Sequence, residues 1–395
     1  MAGHSLLWLC TFFSVALKLA SSSDFLVAKS NGDLTLSLVR NLAQKQGNFV
    51  VSPSSVLTGL AMLYEGMGDS SRQVVDQTLN WSQNYNRVIK EFQEISETNS
   101  SSKSDLNMIV VAVQAEIKPS YGNRIKTLFK AQPYRQNFEE KQEVALKSIN
   151  VKVSRKSKGQ LKQFLSPGSI TAYTKLVLVN VLHFKSDWSE KFGSDLIEAP
   201  FYLDNSDEIS ASFMFGSFNG AGHQALSEEG AVVRLPFQDQ DFAMIFIKPP
   251  KSKGIESFVQ EDLAALMPSI MNPDSLKNVS LSLQLPNFNL EKRTNLKDVL
   301  SKINGLDHIF SKDVDFSRMA NSSLTVQDVN HMAVVDVNTN GVEASAATSI
   351  SVVPYSAFVP DLLVTLDRSF LFFIVEKPTR MIMFAGAIKN PTDLQ

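Results

Sequence analysis

The sequence predicts an α+β protein folded as one compact domain, and three observations carry that reading. In some stretches apolar residues recur at helical spacing, as Leu34, Leu38 and Leu42 do. In others, notably Leu176 to Phe184 and Phe242 to Lys248, they run almost unbroken, as strands do when both faces are covered. Length alone would suggest more than one domain. No repeat, low-complexity tract or Pro/Gly-rich linker divides the 395 residues, however, and a hydrophobic content of 44% is ample for one large core.

Taken in order, residues 1 to about 22 (MAGHSLLWLCTFFSVALKLASS) hold an apolar run from Leu6 to Leu17 followed by small residues, the pattern of a secretory signal peptide cleaved around Ala20 to Ser23. As a membrane anchor the run is short, and Lys18 interrupts it. Its removal leaves a single domain over 23–395 and takes away Cys10, the only cysteine, so the mature chain is expected to be secreted without disulfide or thiol. Later segments are too short to span a bilayer, and the C-terminus PTDLQ is not a retention signal. Glycosylation acceptor patterns at Asn80, Asn99, Asn278 and Asn321 fit the extracellular compartment.

Asp33 to Gln44 reads as an amphipathic helix ending near Gly47. Ser54 to Glu65 reads as a second, opened by Ser52 as cap and Pro53 in the first turn. Arg87 to Ile95 is expected to be helical, Asn107 to Ala115 a buried strand, and Leu281 to Leu290 and Phe370 to Val375 further strands. Ser148 to Phe164 reads as a helix carrying Lys152, Arg155, Lys156, Lys158 and Lys162. That stretch is the most basic of a chain with net charge -2, and it is either a polyanion-binding surface or a solvated charged face. The overall charge gives no attraction to nucleic acid or acidic membranes.

The sequence offers little for catalysis. The histidines at 4, 183, 223, 308 and 331 have no ligand spacing, so no metal or other cofactor is expected. Walker and nucleophile-elbow patterns are missing from the sequence. Gly220 to Ala225 formally matches a dinucleotide fingerprint but lacks the strand before and helix after it, so it reads as a surface turn. An enzyme is not expected.

The stretch Gly341 to Ser356 is different. Val342, Ala344, Ala346, Thr348, Ile350 and Val352 alternate with Glu343, Ser345, Ala347, Ser349 and Ser351, so one face of a strand would be wholly uncharged. Yet the small residues and Pro354 also suit an exposed loop, in which Tyr355 is the one large side chain before Ser356 and Ala357. Strand and loop both remain open from the pattern alone.

The flanks VNHMAVVDVNTNG (Val329 to Gly341) and RSFLFFIVEKPTRMIMFAGAIKNP (Arg368 to Pro391) resemble the serpin family. So do NFVVSPSSVLTGLAMLYEGMG (Asn48 to Gly68), KLVLVNVLHFKSDW (Lys175 to Trp188), VVRLPF (Val232 to Phe237), LQLPNFNLEKRTNL (Leu283 to Leu296) and DFS (Asp315 to Ser317). The resemblance covers roughly residues 25 to 391 in the family's order. It implies a monomer with three sheets, about eight or nine helices and an exposed reactive-centre loop over about 341–365. It further implies inhibition of a serine protease by cleavage of that loop, its insertion into the central sheet and covalent trapping of the enzyme.

Carried over residue by residue, Gly341 is the hinge glycine, Val342, Glu343, Ala344, Ser345, Ala346 and Ala347 complete the hinge, and the reactive bond falls at Tyr355–Ser356. Ser52, Ser55, Asn180 and His331 match the polar cluster that controls sheet opening, and Trp188 the tryptophan at the breach. Thr339 stands where the family commonly has glutamate, Val342 where Thr or Ser is usual, and Lys152 where Trp is frequent. The segment matching the family's best-known heparin-binding helix, near Arg87 to Glu97, carries Glu91, Glu94 and Glu97 and does not look like a polyanion site. No Lys or Arg lies between Gly341 and Asp367, which disfavours trypsin-like targets. Tyr355 suits a chymotrypsin-like enzyme, Phe358 is a second bait, and Val353 suits an elastase-like enzyme. The competing reading is a non-inhibitory member acting as a carrier or binding protein.

Overall fold

The computed structural model describes residues 25–393 other than 99, 158, 160–162, 205–206 and 343–361. Among them the helices are α1 (Leu26–Ala43), α2 (Pro53–Gly66), α3 (Asp69–Leu79), α4 (Tyr85–Glu97), α5 (Pro119–Phe129), α6 (Gln142–Lys156), α7 (Ile255–Glu261), α8 (Leu263–Met271) and α9 (Lys297–Leu300). The strands are β1 (Phe49–Val51), β2 (Lys103–Ala112), β3 (Tyr134–Gln136), β4 (Leu176–Phe184), β5 (Ser186–Asp187), β6 (Ile197–Tyr202), β7 (Glu208–Ala225) and β8 (Ala231–Pro236). They continue with β9 (Phe242–Lys248), β10 (Lys277–Pro286), β11 (Phe288–Asn295), β12 (Val326–Val337), β13 (Gly341–Val342), β14 (Leu362–Thr365), β15 (Phe370–Glu376) and β16 (Met381–Ile388).

These strands make two ladders. One runs β1-β16-β15-β9-β8-β7-β10-β14 with β6 also on β7. The other runs β3-β2-β4-β12-β13-β5 with β11 on β12. The three-sheet layout thus appears with two sheets fused. The 18-residue β7 bonds β6 and β10 along most of its length and β8 at its end, from Gly222 to Ala225.

Helix α2 is the hub. Ser52 caps it by accepting from the Ser55 N–H at 3.3 Å, Pro53 occupies its first turn, and nearly every residue is buried. Gly59 lets it lie on β4, because a Cβ there would stand 2.6 Å from Leu178 and 2.8 Å from Asn180. On the opposite face of the same sheet, Ala145, Ile149 and Val153 of α6 pack with Val177, Val179 and Val181. Covered on both sides, β4 reads as an apolar run rather than an alternation.

Several boundaries differ from the sequence expectation for local reasons. Helix α1 starts at Leu26 rather than Asp33, since Val27, Ala28 and Asn31 also face the core and Asn31 bonds the backbone of Ile382 in both directions. Strand β2 runs over Lys103–Ala112 rather than Asn107 to Ala115. The basic helix is Gln142–Lys156, not Ser148 to Phe164. Asn150 takes the N–H groups of Phe164 and Leu165 at 3.1 and 2.7 Å and folds that segment back. The expected strand Leu281 to Leu290 breaks after Pro286 and passes from one sheet to the other. Gly220 to Ala225 is not a surface turn; it lies inside β7 beside a bulge opposite Val279 and Ser280.

Candidate functional site

The site grows from the seam where β4 and β12 pair in parallel, placing His331 directly opposite Asn180. No strand lies between them. The N-terminus of α2 sits beneath, and its Ser52 N–H donates to His331 Nε2 at 2.9 Å. His331 Nε2 is therefore the unprotonated nitrogen, and burial pushes the imidazole pKa down to about 3, so it stays neutral. Asn180 Nδ2 donates to the Ser55 carbonyl at 3.1 Å and to Asn107 Oδ1 at 2.8 Å, while Ser55 Oγ donates to the same Asn107 oxygen at 3.0 Å.

Two buried atoms in this cluster, His331 Nδ1 and Asn180 Oδ1, have no hydrogen-bond partner among the described residues. An orphaned buried polar atom costs about 1–3 kcal/mol. The structure thus brings Ser52, Ser55, Asn180 and His331 together and adds Asn107, which the sequence reading missed. The signal for it was an amide immediately before the apolar run Met108 to Ala112 of β2.

Above the seam the chain turns back on itself. Val337 pairs with Val342 across the turn, and the Asn338 and Gly341 backbones exchange hydrogen bonds. Trp188 clamps this turn: its N–H donates to Asn340 O at 2.8 Å and its Nε1 to Asn338 O at 3.0 Å. Its ring stacks on Phe237 at 4.8 Å. The Phe192 N–H donates to Thr339 O at 3.2 Å, which leaves residue 339 a backbone role that threonine fills as well as glutamate.

Gly341 and Val342 are themselves strand β13, bonded to β12 on one side and to β5 on the other. A Cβ at 341 would lie 2.2 Å from the Ser186 carbonyl, so only glycine fits. Val342 is fully buried in the main core. The loop expected over 341–365 is accordingly shorter, since Leu362–Thr365 form β14, parallel to β10. Glu343, Ala344, Ser345, Ala346, Ala347, Tyr355 and Ser356 lie outside the described residues, as do Val353 and Phe358.

Of the acceptor asparagines, Asn80, Asn278 and Asn321 are exposed; Asn99 lies outside the described residues. Asn80 ends α3 in the left-handed region (φ 53°), and Asn278 Oδ1 accepts from Arg234 at 2.7 Å. On the basic helix, Lys152 lies over the Tyr134 ring at 3.6 Å and Arg155 and Lys156 are exposed, whereas Lys158 and Lys162 lie outside the described residues. Among the described residues no helix is long and apolar enough to cross a membrane.

Comparison with known proteins bears on this arrangement. A family model described as Serpin (serine protease inhibitor) matches residues 29–391. The chain is 28% identical over 378 residues to leukocyte elastase inhibitor of Bos taurus, covering 91% of this chain and 97% of that protein. It is 29% identical over 354 residues to a serine protease inhibitor of Cyanea capillata, covering 87% and 92%. Among solved structures, Serpin48 of the insect Tenebrio molitor superposes with a TM-score of 0.81 at 22% identity, over 92% of this chain and 98% of that one. Human thyroxine-binding globulin does so with a TM-score of 0.80 at 22% identity, over 94% and 100%. The architecture, the seam and the match over nearly the whole sequence agree: this chain belongs to the serpin family.

Proposed function

We propose that this chain is a secreted, monomeric serine protease inhibitor that acts as a suicide substrate rather than as an enzyme. The carrying observation is that β13 stands in line with the β4/β12 seam. Val342 pairs with Val337 and with Ser186, antiparallel to both. Continuing that register by six residues sets 348 (342 + 6) opposite 331 (337 − 6) and 180 (186 − 6). Thr348 would then enter between His331 and Asn180, which now pair with each other. Strand alternation gives Ala344, Ala346 and Thr348 the inward face that Val342 already occupies, and turns Glu343 outward. Insertion would bury no charge and would bring a hydroxyl to the two orphaned atoms.

In this reading a chymotrypsin-like protease attacks Tyr355–Ser356, and the hinge follows Val342 into the opened seam. The acylated enzyme is carried away from its deacylation geometry, and strain stored in the fold is released by a bistable strand. The Ser52, Ser55, Asn107, Asn180 and His331 cluster sets the resistance to opening, and Trp188 holds the turn from which insertion starts. The apolar N-terminal run and the exposed Asn80, Asn278 and Asn321 support secretion and glycosylation.

The test is incubation of the secreted protein with chymotrypsin, and in parallel with leukocyte elastase, followed by denaturing electrophoresis and mass analysis of the released peptide. A covalent complex with a fragment beginning at Ser356 is expected. Cleavage at Tyr355 with neither complex nor gain in thermal stability would sink the inhibitor reading and favour a carrier.

A further inference from the structure

A cavity of about 640 Å³ opens between α3, the start of α5 and the segment around Arg318. Its floor is Glu65, whose side chain is 3% exposed and already satisfied. Tyr85 Oη donates to Glu65 Oε1 at 2.6 Å and Arg124 Nε donates to Oε2 at 2.7 Å. Arg124 also donates to Tyr85 Oη at 2.9 Å, and the Arg72 guanidinium lies over the rings of Tyr64 and Tyr85 at 4.7 and 5.2 Å. Both guanidinium groups are held rigidly by these contacts, and the NH1 group of each has no acceptor in the protein among the described residues.

The rim adds two further cations. Lys118 makes no ion pair among the described residues, and Arg318 pairs with Asp69, an 89% exposed carboxylate. They are held near each other because the Lys118 N–H donates to Met319 O at 2.9 Å and Ile117 bridges to Ala320. The cavity thus gathers Arg72, Lys118, Arg124 and Arg318 against Glu65 and Asp69. That is a surplus of two positive charges (4 − 2) in a chain whose net charge is -2.

One arginine is enough to neutralise Glu65. The second guanidinium and the two rim cations repel each other within one concavity, an arrangement that focuses a positive field and is relieved by an anion. The volume falls within the range of small-molecule pockets, about 300–1,000 Å³, larger than a bare tetrahedral ion requires. We infer that this cavity is a binding site for an organic sulfate or phosphate ester, whose oxyanion is held by the free guanidinium edges and Lys118. Arginine is suited to such groups because its fork matches tetrahedral oxyanions. The same ester chemistry occurs in a free small molecule or at a unit of a sulfated glycan chain.

The experiment is calorimetric titration of the full secreted chain with N-acetylglucosamine 6-sulfate, inorganic pyrophosphate and a sulfated heparin-type tetrasaccharide, at low and moderate salt. The proteins compared are wild type, the double variant Lys118→Gln/Arg318→Gln, and the triple variant Lys152→Gln/Arg155→Gln/Lys156→Gln on α6. Expected is one saturable site, weakened by salt, with affinity lost by about tenfold or more in the double variant and unchanged in the triple variant. A tetrasaccharide binding more tightly than the monosaccharide identifies a glycan chain as the source, and equal binding identifies a free ester. Failure of every probe to bind overturns the proposal. So does wild-type affinity in a folded double variant with an unchanged thermal midpoint, or a loss confined to the α6 variant.

Discussion

The β9–β15–β16 block and the β4–β12 seam both help to enclose the core, yet they are different kinds of joint. In the block every residue is buried and every strand pair is antiparallel. Phe372 fills the space above Gly386, where a Cβ would stand 2.4 Å from its ring, and packs on Phe288 at 5.5 Å. The polar ends are satisfied: Glu376 by Lys103 at 2.5 Å and by Thr379, Lys248 by Asp367 and the Thr365 carbonyl. The seam is parallel and has a polar amide and a neutral imidazole at its middle, each with an atom left unpaired. The two joints therefore differ in what holds them: full burial in the block, and in the seam a partly buried β12 with unpaired polar atoms at its middle.

The largest effect is expected in the block. Phe372→Ala removes a fully buried ring in a place that cannot collapse, since the neighbouring strands are bonded on both sides. It should cost about 3–5 kcal/mol in urea unfolding followed by tryptophan fluorescence. Hydrogen exchange of the seam amides is expected to remain as in the wild type below the unfolding transition. Accelerated exchange across β4 and β12 would show that the two joints are one cooperative unit.

Acid should act on the seam instead. The His331 pKa in the fold, about 3, lies below the ordinary 6.5 through burial alone, so its neutral form is the one the fold accepts. The stability it contributes is fully present above pH 6.5 and is lost as pH falls from there towards 3, at about 1.4 kcal/mol per unit. At pH 4.5 that amounts to roughly 2–3 kcal/mol. His331→Gln, which keeps an acceptor for the Ser52 N–H, is expected to flatten this part of the thermal midpoint against pH. An unchanged slope would mean that other groups carry the acid sensitivity.

How much of this was legible in the sequence depended on whether a residue's role was set by its neighbours in the chain. Helix α2 and strand β4 were readable, because burial on all sides leaves an apolar imprint that only one element type explains. Asn180 and His331 stood out as polar residues in such runs, and the family resemblance gave them a shared place. Gly341 could be named as a hinge glycine, but its reason could not be read. The reason is the Ser186 carbonyl, 155 positions earlier (341 − 186), and not a backbone angle. Val342 looked like a departure from pattern until its burial beside β5 explained an apolar side chain there. The basic helix was misplaced because its inward face is only Ala145, Ile149 and Val153, a weak stripe beside a strong run of cations. The Glu65 cavity left no linear trace, since its cations come from three separate segments: Arg72 on α3, Lys118 and Arg124 at the start of α5, and Arg318.

The smallest effect tests the seam most directly. Ser55→Ala deletes the hydroxyl that donates to Asn107 Oδ1 at 3.0 Å, but that oxygen keeps the Asn180 amide at 2.8 Å, so no new buried atom is orphaned. The Ser55 carbonyl and N–H still serve Asn180 and Ser52. The cost should therefore be a single net hydrogen bond, about 0.5–1.5 kcal/mol. If the cluster resists opening locally, that cost appears as faster hydrogen exchange of the β4 and β12 amides, by about 2–12-fold, with the β15 and β16 amides unmoved. Equal acceleration in both sheets would mean that the seam opens only when the whole molecule unfolds, and the polar cluster would lose its standing as the place where the sheet parts.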